Sequence, residues 1–272
     1  MKKTSKIIAI IVAFILIGIL LIITNAFVGN PISKMIVTNN ANTYIKETYP
    51  DTDYYIESVN YSFKTGGYYA HIKSPSSKDT YFSVSYSLWG NKNYDNFSSY
   101  VEDKFNTWDR INSEYRTATN DILENLPYVS EINFAELETS DKGNNLLNFG
   151  LDMASLELDR NYDIKEMASK YGKVTLYVDD EDVSIQKVSE ILLEVKEQFD
   201  NNNQAFYAID LVLRNPRNKD IKDWQDETAI RLECFLYSDI NDENLIPKIE
   251  VCIEETQNYY DEMDEEKFKE KP

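Results

Sequence analysis

Val59-Asn60-Tyr61-Ser62-Phe63-Lys64-Thr65-Gly66-Gly67-Tyr68-Tyr69-Ala70-His71-Ile72 reads as two strands and the turn between them. Val59, Tyr61 and Phe63 alternate with other residues up to the Lys64–Gly67 turn, and Tyr68, Ala70 and Ile72 resume the period of two after it. Phe82, Val84, Tyr86 and Leu88 repeat the pattern, which predicts an antiparallel meander with one apolar face. The opposite face carries Tyr69, His71, Lys73, Tyr81, Ser83, Ser85 and Ser87, the polar-outward alternation of a half-exposed sheet.

Upstream of the meander the period changes. Val37, Ala41, Tyr44, Ile45 and Thr48 predict a helix over 32–49 that covers the apolar face and ends at Pro50. Before it, residues 7–28 carry no charge and follow Lys2, Lys3 and Lys6. As a helix that stretch is about 33 Å long at ~1.5 Å per residue, enough to cross a hydrocarbon core of roughly 30 Å. A cleaved secretory signal usually has an apolar region of only about 7–15 residues before a small-x-small site, and Thr24-Asn25-Ala26 imitates such a site poorly. We therefore read a retained single-pass anchor, with the lysine-rich start in the cytoplasm and the chain beyond residue 30 extracytoplasmic. No cysteine lies near the end of the segment to accept a lipid.

Downstream, Phe97, Val101, Phe105, Trp108, Ile111, Tyr115, Ala118, Ile122 and Leu126 predict a long helix over 94–126, either continuous or broken near Asn112, and stopped by Pro127. Residues 127–160 are the least regular part, and polar Thr139–Asn145 reads as a loop. A short helix from Asp163 is expected to stop at a left-handed Gly172, followed by a strand through Val174, Leu176 and Val178. Ile185, Val188, Leu192, Val195 and Phe199 predict a helix behind the acidic Asp179–Asp182 start. Two strands over 205–215 and 228–238, joined by a polar hairpin loop, precede a last helix carrying Leu245, Ile249, Cys252, Ile253, Thr256 and Tyr260, then an acidic tail. The fold class is α+β: a transmembrane helix followed by two small extracytoplasmic α+β units with mainly antiparallel sheets. The boundaries are 1–30 for the cytoplasmic stub and anchor, 31–127 for an α-β-β-β-α domain, 128–160 for a connection and 161–272 for an α-β-α-β-β-α domain.

Composition narrows the partners. With Lys2, Lys3 and Lys6 set aside from the 28 basic residues, 25 face 47 acidic ones, a formal charge of −22. Such a surface repels phosphates, which argues against nucleic acid and against anionic lipid headgroups as partners of the soluble part. The lipid bilayer enters as a partner through residues 7–28, and a protein, peptide or other envelope component is the remaining class.

No chemistry-bearing motif survives inspection. His71 is the only histidine, which excludes a histidine-rich metal site, and on a half-exposed strand face it reads as a hydrogen-bonded imidazole. Ser184-Ile185-Gln186-Lys187 and Lys64-Thr65-Gly66 spell two motifs of penicillin-recognising enzymes in the reverse order, in different predicted domains. Asp239, Asn241, Glu243 and Glu250 echo a calcium loop, but Asn244 replaces its glycine and Pro247 falls inside it. We expect no cofactor, no metal and no assigned catalytic residue. Cys234 and Cys252 fall on inward positions of a strand and the following helix, so a disulfide or two buried thiols are both open. Twelve of the twenty tyrosines lie between residues 44 and 115, and Tyr69, His71 and Tyr81 on the outer face form a candidate binding platform.

Gly29-Asn30-Pro31-Ile32-Ser33-Lys34, Gly66-Gly67-Tyr68-Tyr69, Ile72-Lys73-Ser74-Pro75 and Lys78-Asp79-Thr80-Tyr81-Phe82-Ser83-Val84 together resemble the YfjL-like membrane-anchored proteins of Bacillus relatives, most clearly over residues 1–90. The resemblance implies a bacterial envelope protein and carries over no catalytic residue. The helix-then-meander order is also similar in topology to extracytoplasmic PepSY and cystatin-like modules, a likeness that does not fix function. The leading expectation is a non-enzymatic binding module. The alternatives are an envelope hydrolase or modifying enzyme using carboxylates or His71, and a structural or signalling stalk.

Overall fold

In a computed structural model, residues 2–128, 133–140, 146–216, 229–241 and 243–269 are described. The predicted hairpin loop after residue 216 and most of the loop after Thr139 lie outside them. Helix α1 spans Lys2–Val28 and is long and apolar enough to cross a membrane, with exposed side chains such as Phe14 and Leu20. Gly29 ends it at φ 75°, and Asn30 starts α2, Pro31–Thr48, by accepting the Ser33 amide on its Oδ1 at 2.7 Å.

The chain divides into two compact units, Met1–Thr107 with Glu157–Asp159, and Trp108–Leu156 with Arg160–Pro272. In the first, β1 (Tyr55–Ser62), β2 (Gly67–Lys73), β3 (Tyr81–Tyr86) and β4 (Lys92–Asp95) form an antiparallel sheet in chain order. Val37, Ala41 and Ile45 of α2 pack on Val59, Ala70, Ile72, Phe82, Val84 and Tyr86, as period-two and period-3.6 patterning require. Phe63 departs from its expected inward place: β1 ends at Ser62, and the side chain is exposed at the turn.

The helix expected over 94–126 is interrupted, but not near Asn112. Its first residues enter β4 and a π-turn at Ser98–Glu102, and Lys104 adopts φ 63°, so that α3 runs only from Phe105 to Glu124. Asp79, fully buried, accepts the Asp159 amide at 2.8 Å, while Asp159 accepts the Asp79 amide at 3.0 Å. That reciprocal pair fastens Glu157–Asp159 to the first unit.

The second unit holds α4 (Ile164–Tyr171), α5 (Ile185–Asn201), α6 (Leu245–Lys269) and a sheet ordered β5 (Phe134–Leu137), β6 (Gly172–Asp179), β7 (Ala208–Arg214) and β8 (Ile230–Leu236). β6 and β7 are parallel, since α5 carries the chain back across the sheet, whereas the flanking pairs are antiparallel. Buried Val188, Ile191, Leu192, Val195 and Phe199 form the apolar stripe of α5, which Ser184 caps by accepting the Lys187 amide. Gly172 is not left-handed: its backbone is extended at φ −72°, ψ 131°, and opens β6. Glycine is needed there for space, because a Cβ would lie 2.6 Å from the Ala168 carbonyl oxygen and 2.9 Å from the Tyr115 hydroxyl.

The expected alternation of β8 also breaks. Ile209 pairs with Phe235 but Leu211 with Leu232, so Glu233 and Cys234 together face Asp210 in a bulge where Cys234 has φ 55°. Beyond the bulge the alternation shifts, and Phe235 rather than Leu236 is the buried residue.

Candidate functional site

On the first unit's sheet, registers Tyr69↔Ser85, His71↔Ser83 and Lys73↔Tyr81 place Tyr69, His71 and Tyr81 on one face, each half-buried. A cavity of about 230 Å³ opens there, lined by Glu57, His71, Tyr81, Ser83, Asn96 and Tyr100. His71 Nδ1 meets Ser83 Oγ at 2.8 Å. Around this pair, Glu57 is held 2.7 Å from Lys73, and the Ser83 amide donates to Asn96 Oδ1. Hydrogen bonds from Thr65 and Tyr94 hold the Tyr69 phenol below the usual tyrosine value, so Tyr69 is tied into its own face.

A denser constellation lies in the second unit. Lys173 of β6 sits 2.6 Å from Glu138 Oε1 and 3.1 Å from Asp210 Oδ2. Burial alone pushes the ammonium down, but the Asp210 and Glu138 carboxylates outweigh it and hold Lys173 well above the ordinary lysine value. The other Asp210 oxygen accepts the Cys234 amide at 2.8 Å, which satisfies the backbone that the bulge exposes. Glu233 accepts from the Tyr260 hydroxyl, and its amide donates to Thr256 Oγ1 at 3.1 Å. Burial, followed by the Asp210 charge, raises the Glu233 carboxyl. Asp210, Glu233 and Cys234 each bring one donor atom within 4.8 Å of the others. The single Lys173 ammonium faces both the Glu138 and Asp210 carboxylates, and burial pushes the Cys234 thiol up to about 12, so these contacts form a lysine-centred ionic network.

Beside this network, between β8 and the start of α6, is a cleft of about 340 Å³ whose walls are mainly apolar: Leu146, Leu147, Phe235, Pro247, Val251 and Cys252. Glu233, Cys234, Glu255 and the Lys248–Asp239 ion pair, at 2.8 Å, complete its lining. Cys234 and Cys252 both line the cleft as free, buried thiols. Burial raises Cys252 to about 11, and its Sγ lies 3.6 Å from the Glu233 carbonyl oxygen. The calcium echo dissolves here, because Asp239 is the lysine's partner and Asn241 bonds the Ser238 carbonyl.

Two family models match the chain, the YfjL-like N-terminal domain over residues 4–96 and the YfjL-like C-terminal domain over residues 114–250. The chain belongs to the YfjL-like family. No curated protein and no solved structure matches it. The YfjL-like N-terminal match takes in α1, α2 and the whole first sheet, and the C-terminal match takes in Glu138, Lys173, Asp210, Glu233 and Cys234. The resemblance read over residues 1–90 thus extends through both units.

Sequence reasoning placed Tyr69, His71 and Tyr81 on one face and both cysteines on inward positions of a strand and the following helix, but passed over Lys173, Glu138, Asp210 and Glu233. One signal was available. Asp210 interrupts the apolar run Ala208-Ile209-Asp210-Leu211-Val212-Leu213, and a carboxylate inside a buried strand requires a partner.

Proposed function

We propose that this YfjL-like chain is a single-pass, membrane-anchored protein that holds its two α+β units outside the cytoplasm and binds the apolar part of an envelope peptide or lipid in the β8–α6 cleft. The observation that carries the binding site is the concave apolar wall beside a strained, non-glycine bulge residue, since left-handed backbone at such a position costs about 1–3 kcal/mol and persists where the surroundings enforce it. Acidic Glu233 and Glu255 in the lining, with Lys248 occupied by Asp239, favour a ligand whose polar end is neutral or cationic. The anchor rests on the uncharged residues 7–28 of α1 behind Lys2, Lys3 and Lys6. In protoplasts carrying a C-terminal epitope, external protease is expected to remove the epitope while carbonate leaves the chain in the membrane; an epitope cut only after lysis would refute the orientation.

Catalysis by the thiols is disfavoured because both are held neutral at physiological pH. The raised Glu233 suits an acid–base role. It also makes a stability prediction. The folded carboxyl binds its proton above the unfolded value of 4.5, so ionising it costs stability that is absent below that value and grows as pH rises through the folded one. Glu233→Gln is therefore expected to raise Tm at pH 8 and to leave it unchanged at pH 4 in calorimetric scans. A Tm gain that persists undiminished at pH 4 would contradict the assignment.

A further inference from the structure

We propose that the first unit rests on the outer surface of the bilayer through an apolar collar at the end where α1 leaves it; this deepens the anchored reading above and depends on it. The collar follows from topology. Registers Ser62↔Gly67 and Tyr68↔Tyr86 put the β1–β2 turn and the β3–β4 turn at the same end of the sheet. The C-terminus of α1 is fixed at that end. Tyr61 donates from its hydroxyl to the Ala26 carbonyl at 2.9 Å, and the Tyr68 hydroxyl accepts the Asn30 amide at 2.7 Å and donates to the Asn30 carbonyl at 2.8 Å. Only Gly29 and Asn30 separate α1 from α2, and a Cβ on Gly29 would lie 2.5 Å from the Tyr68 hydroxyl, so no flexible linker intervenes.

The large apolar side chains exposed at this end are Phe27, Val28, Ile32, Met35, Phe63 and Trp89. Trp89 is 81% exposed, yet its turn is held: Asn40 Nδ2 donates to the Gly90 carbonyl at 2.8 Å, and Gly90 abuts Ile36. The Phe63 ring centroid is 6.3 Å from that of Phe27 in the last turn of α1. A group touching the end of a span lies within the headgroup layer, which is only about 5–8 Å deep on each side. Exposed aromatic rings and aliphatic side chains at that depth are stabilised by the interface rather than penalised by water.

Charge agrees with this placement. Residues 26–46, 58–78 and 80–94 contain no Asp or Glu although the chain has 47, and the collar is flanked by Lys34 and Lys64. The acidic excess that argues against an anionic lipid surface for the whole extracytoplasmic part is therefore absent from the part that would meet it. The seating fixes the orientation of the first sheet, in which β1 and β3 run toward the bilayer and β2 and β4 run away from it.

The test uses the full chain reconstituted in phosphatidylethanolamine–phosphatidylglycerol vesicles, with and without lipids brominated near the headgroup end of the acyl chain. Trp89→Ser changes an exposed turn residue, and the emission difference between the native chain and this variant isolates Trp89 from Trp108 and Trp224. Phe63→Trp in the Trp89→Ser chain gives a second probe. Seating predicts that both probes lose emission with bromolipid and resist aqueous iodide. Chains that float with the vesicles while both probes are quenched by iodide alone would overturn the collar and leave the anchor standing. Probes shielded in proportion to the protein-to-lipid ratio, with no bromolipid quenching, would assign the collar to a second copy and overturn the proposal. Chains that fail to float would overturn the anchor and the collar together.

Discussion

Replacing Lys173 by Met is expected to lower the unfolding free energy by about 3–5 kcal/mol, because it leaves two buried carboxylates without their counter-charge. Glu138 is 4% exposed and Asp210 is 8% exposed, and both lie within hydrogen-bond distance of the same ammonium. Asp210 cannot turn to water without releasing the amide of bulged Cys234, and the Glu138 backbone is fixed by its carbonyl accepting the Leu151 amide and its amide donating to the Tyr171 carbonyl. Urea titration followed by circular dichroism measures the loss. Adding Glu138→Gln and Asp210→Asn to Lys173→Met is expected to recover most of it, since the uncompensated charge and not the missing ammonium is the cost. Failure of that triple variant to recover would locate the cost in packing around the lysine stem.

Tyr115→Ala is the second large effect, at about 3–5 kcal/mol, the range for deleting a fully buried aromatic side chain. Tyr115 has no exposed surface, its hydroxyl reaches the Ala205 carbonyl at 3.3 Å, and it abuts Gly172 at the start of β6. It therefore joins α3, the α4–β6 corner and the segment leading into β7 in a single contact set. Tyr115→Phe keeps the ring and loses only a long hydrogen bond, so its expected cost is about 0.5–1.5 kcal/mol. The contrast separates volume from polarity, and equal losses in the two variants would refute the packing account.

The legible parts of this fold are those where local chemistry and burial agree. Asn30-Pro31 announces α2, Asp163 and Ser184 cap α4 and α5, and the period-two runs of β1 to β3 point their apolar residues at α2. The α+β class and the YfjL-like resemblance followed from such signals. What was missed is non-local or lacks a residue signature. β4 and β5 are four residues each, too short for an alternation to stand out, and β5 is defined by pairing with β6 far along the chain. Lys104 breaks a helix from the left-handed region, a place where glycine or asparagine would have given warning. The bulge at Cys234 moves every later side chain of β8 to the other face, and no residue of β8 announces it.

The cleft shows the same limit. Each half of its wall was readable: Cys234 as inward on a strand, Cys252 on the apolar stripe of a helix. Their meeting over a cavity, beside an ionic network assembled from Glu138, Lys173 and Asp210, depends on three strand pairings that only the fold supplies. The outer face of the first sheet illustrates the reverse case. Tyr69, His71 and Tyr81 were placed together, and the structure then shows His71 engaged by Ser83 and Tyr69 by its own neighbours, which directs attention to the second unit for binding.

The measurement that bears most directly on the central claim is photocrosslinking in intact source cells, with Val251→benzoylphenylalanine in the full chain and Glu250→benzoylphenylalanine as the neighbouring control. Val251 is exposed at the cleft, and Glu250 is exposed outside its lining. Binding in the β8–α6 cleft predicts adducts of discrete mass from a lipid or peptide at position 251 that are absent at position 250. No adduct at 251, or the same adducts at both positions, would contradict it.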